Sequence, residues 1–233
     1  MPRRSLAEQK KERIRYWERL YGFTFVLGGP FSFDDCKKIE EIEKRIAADH
    51  ADIVEMADPE ARHLSLATCD DGRSQPCRWK EKADFPESVY KIVDIASRAP
   101  RKHVSIHLLK VYLDMPFILL KVESDGLQYL RQKLASIGLK PIVEAEDKFP
   151  NRGHITLGVA KEEPVERVKA LSDFLRKEMS DLSSFGTIKA DKMTVAHYRI
   201  RSFDKLLGSV VLSLGEDNSI DEDQFWRQLN LRG

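Results

Sequence analysis

No apolar run in this chain approaches the ~20 residues that a membrane-spanning helix requires. The first residues lack the apolar core of a secretory signal, so export is not expected. Cysteine is scarce. Cys36, Cys69 and Cys77 have no close paired spacing and no neighbouring histidine, which argues against a zinc site. An odd, sparse set of thiols suits a reducing compartment, and a cytoplasmic or nuclear location is expected. Charge of one sign is also missing: the formal net charge is +1, so no global field draws the chain to nucleic acid or to a membrane. Any such preference has to be local. Gly28-Gly29 lacks the further spaced glycines and the lysine of a phosphate loop.

What remains is ordinary for a water-soluble, core-forming chain: 233 residues, 42% hydrophobic and 9% aromatic. That length is enough for one large domain or two small lobes. Two short stretches stand out, Arg62-His63-Leu64-Ser65-Leu66 and Gly153-His154-Ile155-Thr156-Leu157. Both alternate polar and apolar residues with the period of a half-buried strand. His63 and Ser65 therefore share one face, as do His154 and Thr156, with the leucines and Ile155 on the other.

The surrounding elements repeat. A strand at 23–27, a helix at 34–48 with Ile39, Ile42 and Ile46 inward, a strand at 52–56 and the first motif are expected in the first part. A strand at 117–122, a helix at 126–137 capped by Asp125 and ended by Gly138, a strand at 140–145 and the second motif match them. The offsets are 94 residues for the first strands and 91 for the motifs. Each motif is then followed by a helix (86–98; 165–179) and a strand (103–113; 193–201). The later helix is expected to turn Val165, Val168, Leu171, Leu175 and Met179 inward, and a last strand spans 209–214. The repeat implies two pseudo-symmetric lobes with the motifs facing a shared groove. His103-Val104-Ser105-Ile106 has the same local pattern, but aligns with Met193 and not with a motif strand, so it reads as the polar face of a third strand.

These residues resemble the 2H phosphoesterase superfamily, the LigT-like and cyclic phosphodiesterase group, whose mark is a pair of His-x-Thr/Ser-x motifs: here His63-Leu64-Ser65-Leu66 and His154-Ile155-Thr156-Leu157. The resemblance covers about residues 22–214, including Phe149-Pro150 ahead of the second motif. It implies a bilobal α+β fold with two antiparallel sheets about a central cleft and helices outside. Ser65 in the first motif is shared with the branch that processes spliceosomal RNA 3′ ends. Gly158-Val159-Ala160 departs from the basic residue that often follows the second motif in bacterial LigT-like members.

The resemblance implies a phosphodiesterase acting on a 2′,3′-cyclic nucleotide or a related RNA-derived phosphodiester, with no metal and no cofactor. His63 and His154 would be the catalytic acid and base, and Ser65 and Thr156 would bind the phosphate. Tyr198, Arg199, Arg78 and Trp79 are candidate substrate contacts. An RNA end-processing exonuclease, a 2′–5′ RNA ligase-like enzyme and a non-catalytic nucleotide-binding module of the same fold are the alternatives. Residues 1–21 form a basic extension, with seven Lys/Arg against three Glu in the first twenty positions. Residues 3–19 could contact RNA through phosphates. Residues 215–233 form a tail in which Phe225-Trp226 packs back or frays. A monomer is favoured.

Overall fold

A computed structural model of the chain describes residues 22–28, 33, 36–59, 62–68, 87–139, 149–161, 164–198 and 206–230. The first repeat contains β1 (Gly22–Leu27), α1 (Cys36–His50), β2 (Val54–Met56) and β3 (Leu64–Thr68). A 3₁₀ turn (Glu87–Lys91) leads into α2 (Ile92–Ser97), and β4 (Val104–Asp114) follows. The second repeat contains β5 (Phe117–Glu123), α3 (Asp125–Ser136), β6 (Arg152–Ala160), α4 (Val165–Glu178), β7 (Thr187–Ala190) and β8 (Lys192–Tyr198). The chain closes with β9 (Leu206–Ser213) and α5 (Glu222–Gln228). The expected strand at 140–145 lies outside the described residues.

The strands run antiparallel in the order β7-β4-β5-β6-β3-β1-β8-β9, with β2 also on β6. Two half-sheets are recognisable, and they meet at a narrow seam. Between β3 and β6 a single register pair is present, Leu64↔Ile155. Farther along the same edge, β6 is taken over by β2, from Met56↔Gly158 to Val54↔Ala160. The half-sheets do not coincide with the two halves of the chain. Strand β4, from the first repeat, pairs with β5, and β8, from the second, pairs with β1. Each half thus borrows one strand from the other, and the order β8-β1-β3 mirrors β4-β5-β6 about the seam.

The core follows the expected periodicities. Ile39, Ile42 and Ile46 of α1, Val89, Ile92, Val93 and Ala96 around α2, and Leu127, Leu130 and Leu134 of α3 are all buried. They join Leu27, Leu64, Ile118, Leu120, Val122, Ile155 and Leu157 in one continuous core. Gly138 ends α3 with φ +90, a left-handed conformation that glycine adopts without a Cβ clash. Two expectations need correction. Helix α3 begins at Asp125, and Ser124 is its N-cap residue, so Asp125 sits in the first turn. Val165 is 65% exposed, because the first turn of α4 projects beyond the sheet before Leu171 and Leu175 reach the core.

The tail packs back. Phe225, Trp226 and Leu229 are buried against the core. Gly208 permits this approach: a Cβ there would lie 2.4 Å from the Gln228 carbonyl oxygen. Buried His197 on β8 donates from Nδ1 to the Leu229 carbonyl at 2.7 Å and stacks on Phe23 at 4.3 Å. Burial holds its imidazole below the usual histidine range, against the opposing pull of the Leu229 hydrogen bond.

Candidate functional site

The seam sets the site. Leu64 and Ile155 are the central residues of the two motifs, and both are fully buried on the helix side of the sheet. Strand alternation sends the residues on either side of them to the opposite, open face. The antiparallel register then places Ser65 across from His154, and His63, just before β3, across from Thr156. All four are half-buried. Opposed side chains on one face have Cβ atoms ~5 Å apart and diagonal ones about 7–8 Å. Each histidine therefore faces a hydroxyl, and the two imidazoles lie on the diagonal.

What keeps β3 and β6 together with so short a ladder is a buried arginine. Arg131 of α3 is 2% exposed and reaches under the seam. It donates to the Ser65 carbonyl at 2.9 Å, to the Pro150 carbonyl at 3.2 Å and to the Arg152 carbonyl. These carbonyls belong to both motif strands and to the lead-in of the second. Gly153 makes room: a Cβ there would lie 2.6 Å from Leu64 Cδ1 and 3.5 Å from Arg131 Nη2. Beside the first motif, Arg62 is equally buried and donates to Glu43 Oε2 of α1 at 2.5 Å. Burial pushes the Glu43 carboxyl up to about 7, although the Arg62 guanidinium opposes the shift. Glu43 Oε1 and two nitrogens of Arg62 have no hydrogen-bond partner among the described residues.

The open face can be read row by row from the register. One row runs Lys110↔Lys121↔His154, and the row beside it runs Tyr112↔Leu119↔Thr156. On the other flank, His107↔Glu123↔Arg152 forms a third row. Lys121 thus stands next to His154, a placement that no motif signals. A lysine inside Phe117-Ile118-Leu119-Leu120-Lys121-Val122 reads from sequence as one solvated position. Gly158 has no room for a basic side chain, since a Cβ there would lie 2.3 Å from the Glu55 carbonyl oxygen. Beside His154, the cations of its own row come from β5 and β4 instead, as Lys121 and Lys110.

The remaining expected contacts divide. Tyr198 is the last residue of β8, opposite Gly22 of β1. Arg199, Arg78, Trp79 and residues 3–19 lie outside the described residues. His103 and Ser105 stand apart from the motif residues. With His107 they line a cavity of about 300 Å³ between β4 and the start of α3. Because β4 mirrors β8 across the seam, the third histidine pattern is the polar face of a flanking strand.

No family model and no curated protein sequence matches the chain. Solved structures do. Usb1 of Kluyveromyces marxianus superposes with a TM-score of 0.50 at 15% identity, over 84% of this chain and 99% of that one. The fold is that of the 2H phosphoesterases. A conserved protein of unknown function from Agrobacterium tumefaciens is similar at 14% identity and TM-score 0.47, over 80% of this chain and 84% of that one. Escherichia coli LigT, complexed with 3′-AMP, is similar at 16% identity and TM-score 0.44, over 82% of this chain and 97% of that one. In the strand order β8-β1-β3-β6-β5-β4, Leu64 and Ile155 pair at the centre. Among the described residues, no helix is long and apolar enough to cross a membrane.

Proposed function

We propose that the chain is a phosphodiesterase that hydrolyses a 2′,3′-cyclic nucleotide or a related RNA-derived phosphodiester by paired histidine acid–base catalysis. The observation that carries the reading is the single register pair Leu64↔Ile155, which gathers two imidazoles and two hydroxyls on one face. Hydrolysis of a phosphodiester needs a base for the attacking water, an acid for the leaving oxygen and donors for the non-bridging oxygens. Histidine can serve as base or acid near neutrality. Two rings on that diagonal can flank a phosphoryl group bound between them, as in-line displacement requires.

In the step itself, His154 takes a proton from water as its oxygen bonds to phosphorus. The bond from phosphorus to the leaving oxygen breaks, and His63 gives its proton to that oxygen. Ser65 and Thr156 hydroxyls donate to the non-bridging oxygens as charge builds there. Proton exchange with solvent then restores both rings. The residues flanking the two imidazoles differ: Lys121 pairs with His154 in register, whereas the corresponding position beside His63, just past β1, is Gly28.

The test is turnover of 2′,3′-cyclic nucleotides by His63→Ala and His154→Ala, with folding checked by circular dichroism. Each variant is expected to lose about 10²–10⁴-fold in kcat, and the wild type to give a bell-shaped pH profile. Wild-type turnover by either folded variant would refute the mechanism. Binding of nucleotides without turnover by the wild type would instead support a binding module of the same fold.

A further inference from the structure

On top of that reading of the site, we infer that Lys121 and Lys110 form a subsite for a second phosphate of the substrate, one removed from the phosphate held between His63 and His154. The preferred substrate then carries at least two phosphate groups. The placement is fixed by register: Lys121 opposes both His154 and Lys110, so the three residues form one row across β6, β5 and β4. With neighbouring strands ~4.8 Å apart, the row reaches about 10 Å from His154. Face parity agrees, because Ile118, Leu120 and Val122 of β5 are fully buried on the helix side. Lys121 is half-buried and Lys110 exposed, so the row leads from the motif residues out to solvent.

The charge around this row suits an anion. In the neighbouring row, the Glu123 carboxylate accepts from Asn151 Nδ2 at 2.5 Å and lies 3.7 Å from Arg152. Both of its oxygens are thus engaged by Asn151 and Arg152. The mirror-related row is different. Beyond His63 it passes through Gly28, whose amide donates to the Lys192 carbonyl at 3.0 Å, before it reaches a cation at Lys192. A continuous run of ammonium groups extends from His154 only on the β5–β4 side of these two rows. A mononucleotide cyclic phosphate can use Lys121 at most. A ligand with a further phosphate can also use Lys110.

The experiment compares two substrates, a 2′,3′-cyclic mononucleotide and a dinucleotide ending in the same cyclic phosphate, across wild type, Lys110→Gln and Lys192→Gln. Lys110→Gln is expected to lower kcat/KM about three- to fivefold on the dinucleotide, a size fitting an exposed ion pair, and to leave the mononucleotide unchanged. The salt dependence on the dinucleotide should become shallower by about one unit in log–log slope. Lys192→Gln should leave the ratio between substrates at the wild-type value. If turnover depends on His63 and His154 but Lys110→Gln affects both substrates alike or neither, the second-phosphate subsite is overturned alone. Loss of selectivity in Lys192→Gln instead would overturn it too. If neither substrate is turned over in a histidine-dependent way, the underlying reading falls and the subsite with it.

Discussion

Replacing Arg131 by methionine should loosen the seam on which the motif residues converge. The side chain is almost completely buried and supplies donors to the carbonyls of Ser65, Pro150 and Arg152. Methionine has a similar length and fills much of the same volume, but it offers no donor. Three part-buried carbonyls would lose a charged partner, and a hydrogen bond to a charged group is worth roughly 1.5–3 kcal/mol. The losses do not add. The three bonds share one guanidinium, whose own desolvation cost disappears with it. A net destabilisation of about 3 kcal/mol is expected. Urea unfolding followed by circular dichroism reads this directly: with m about 2 kcal/mol/M, the midpoint should fall by about 1.5 M.

Activity supplies a second readout. Lys at this position keeps a charge but loses the planar fork, so Arg131→Lys should recover part of the stability and less of the geometry. In Arg131→Met, kcat should fall more than KM rises, because diagonal imidazoles that drift by an ångström lose in-line alignment. A midpoint within 0.3 M of wild type, together with unchanged kcat, would refute the view that Arg131 holds the two motif strands together.

The buried Glu43–Arg62 pair predicts a pH effect on stability. A carboxyl whose value is pushed up to about 7 in the folded chain contributes stability that is full below its unfolded value of 4.5 and is lost as pH rises towards 7. The ceiling is on the order of 3 kcal/mol. Glu43→Gln should abolish that loss and leave the opposite slope expected from His197, whose neutral form is favoured, so stability falls as pH drops through the ordinary histidine range. Unfolding midpoints from pH 4.5 to 8 check both, and an unchanged slope in Glu43→Gln would count against the assignment. Truncation after Ile220 removes Phe225, Trp226 and Leu229 from the core and the acceptor of His197. Thermal unfolding should show a loss of several kcal/mol, since each large buried side chain is worth ~2 kcal/mol or more. A truncated chain as stable as the whole would show that the docked tail contributes little.

How far these features could be read from sequence depended on whether they were written in a local period. The motif strands were, because alternation of period 2 fixes which residues share a face. So were the inward stripes of α1 and α3. Arg131 shows the limit: it is four residues after Leu127 and three before Leu134, inside the apolar stripe, yet an arginine in a helix reads as solvated until its acceptors are known. Likewise β7 is four residues long, Thr187–Ala190, too short for alternation to distinguish it from a loop. The exchange of β4 and β8 between half-sheets was hidden for another reason. Repeated element order shows which strands are equivalent, but not which repeat supplies a strand's neighbour.

Register was the decisive quantity that sequence could not supply. With Leu64 opposite Ile155, each imidazole faces a hydroxyl and the two rings take the diagonal. A slip of one residue would turn one motif towards the core. A slip of two in one direction would set His63 against His154 and carry the hydroxyls apart; in the other direction it would pair Ser65 with Thr156 and separate the rings. Either would leave the same four residues on one sheet without the facing histidine–hydroxyl pairs. The packing that selects the observed register lies on the opposite face. Gly153 admits the Leu64 side chain, and Arg131 spans to the Ser65 and Arg152 carbonyls of the two motif strands in that alignment. The chemistry of the open face is therefore set from beneath, by one missing Cβ and one buried guanidinium.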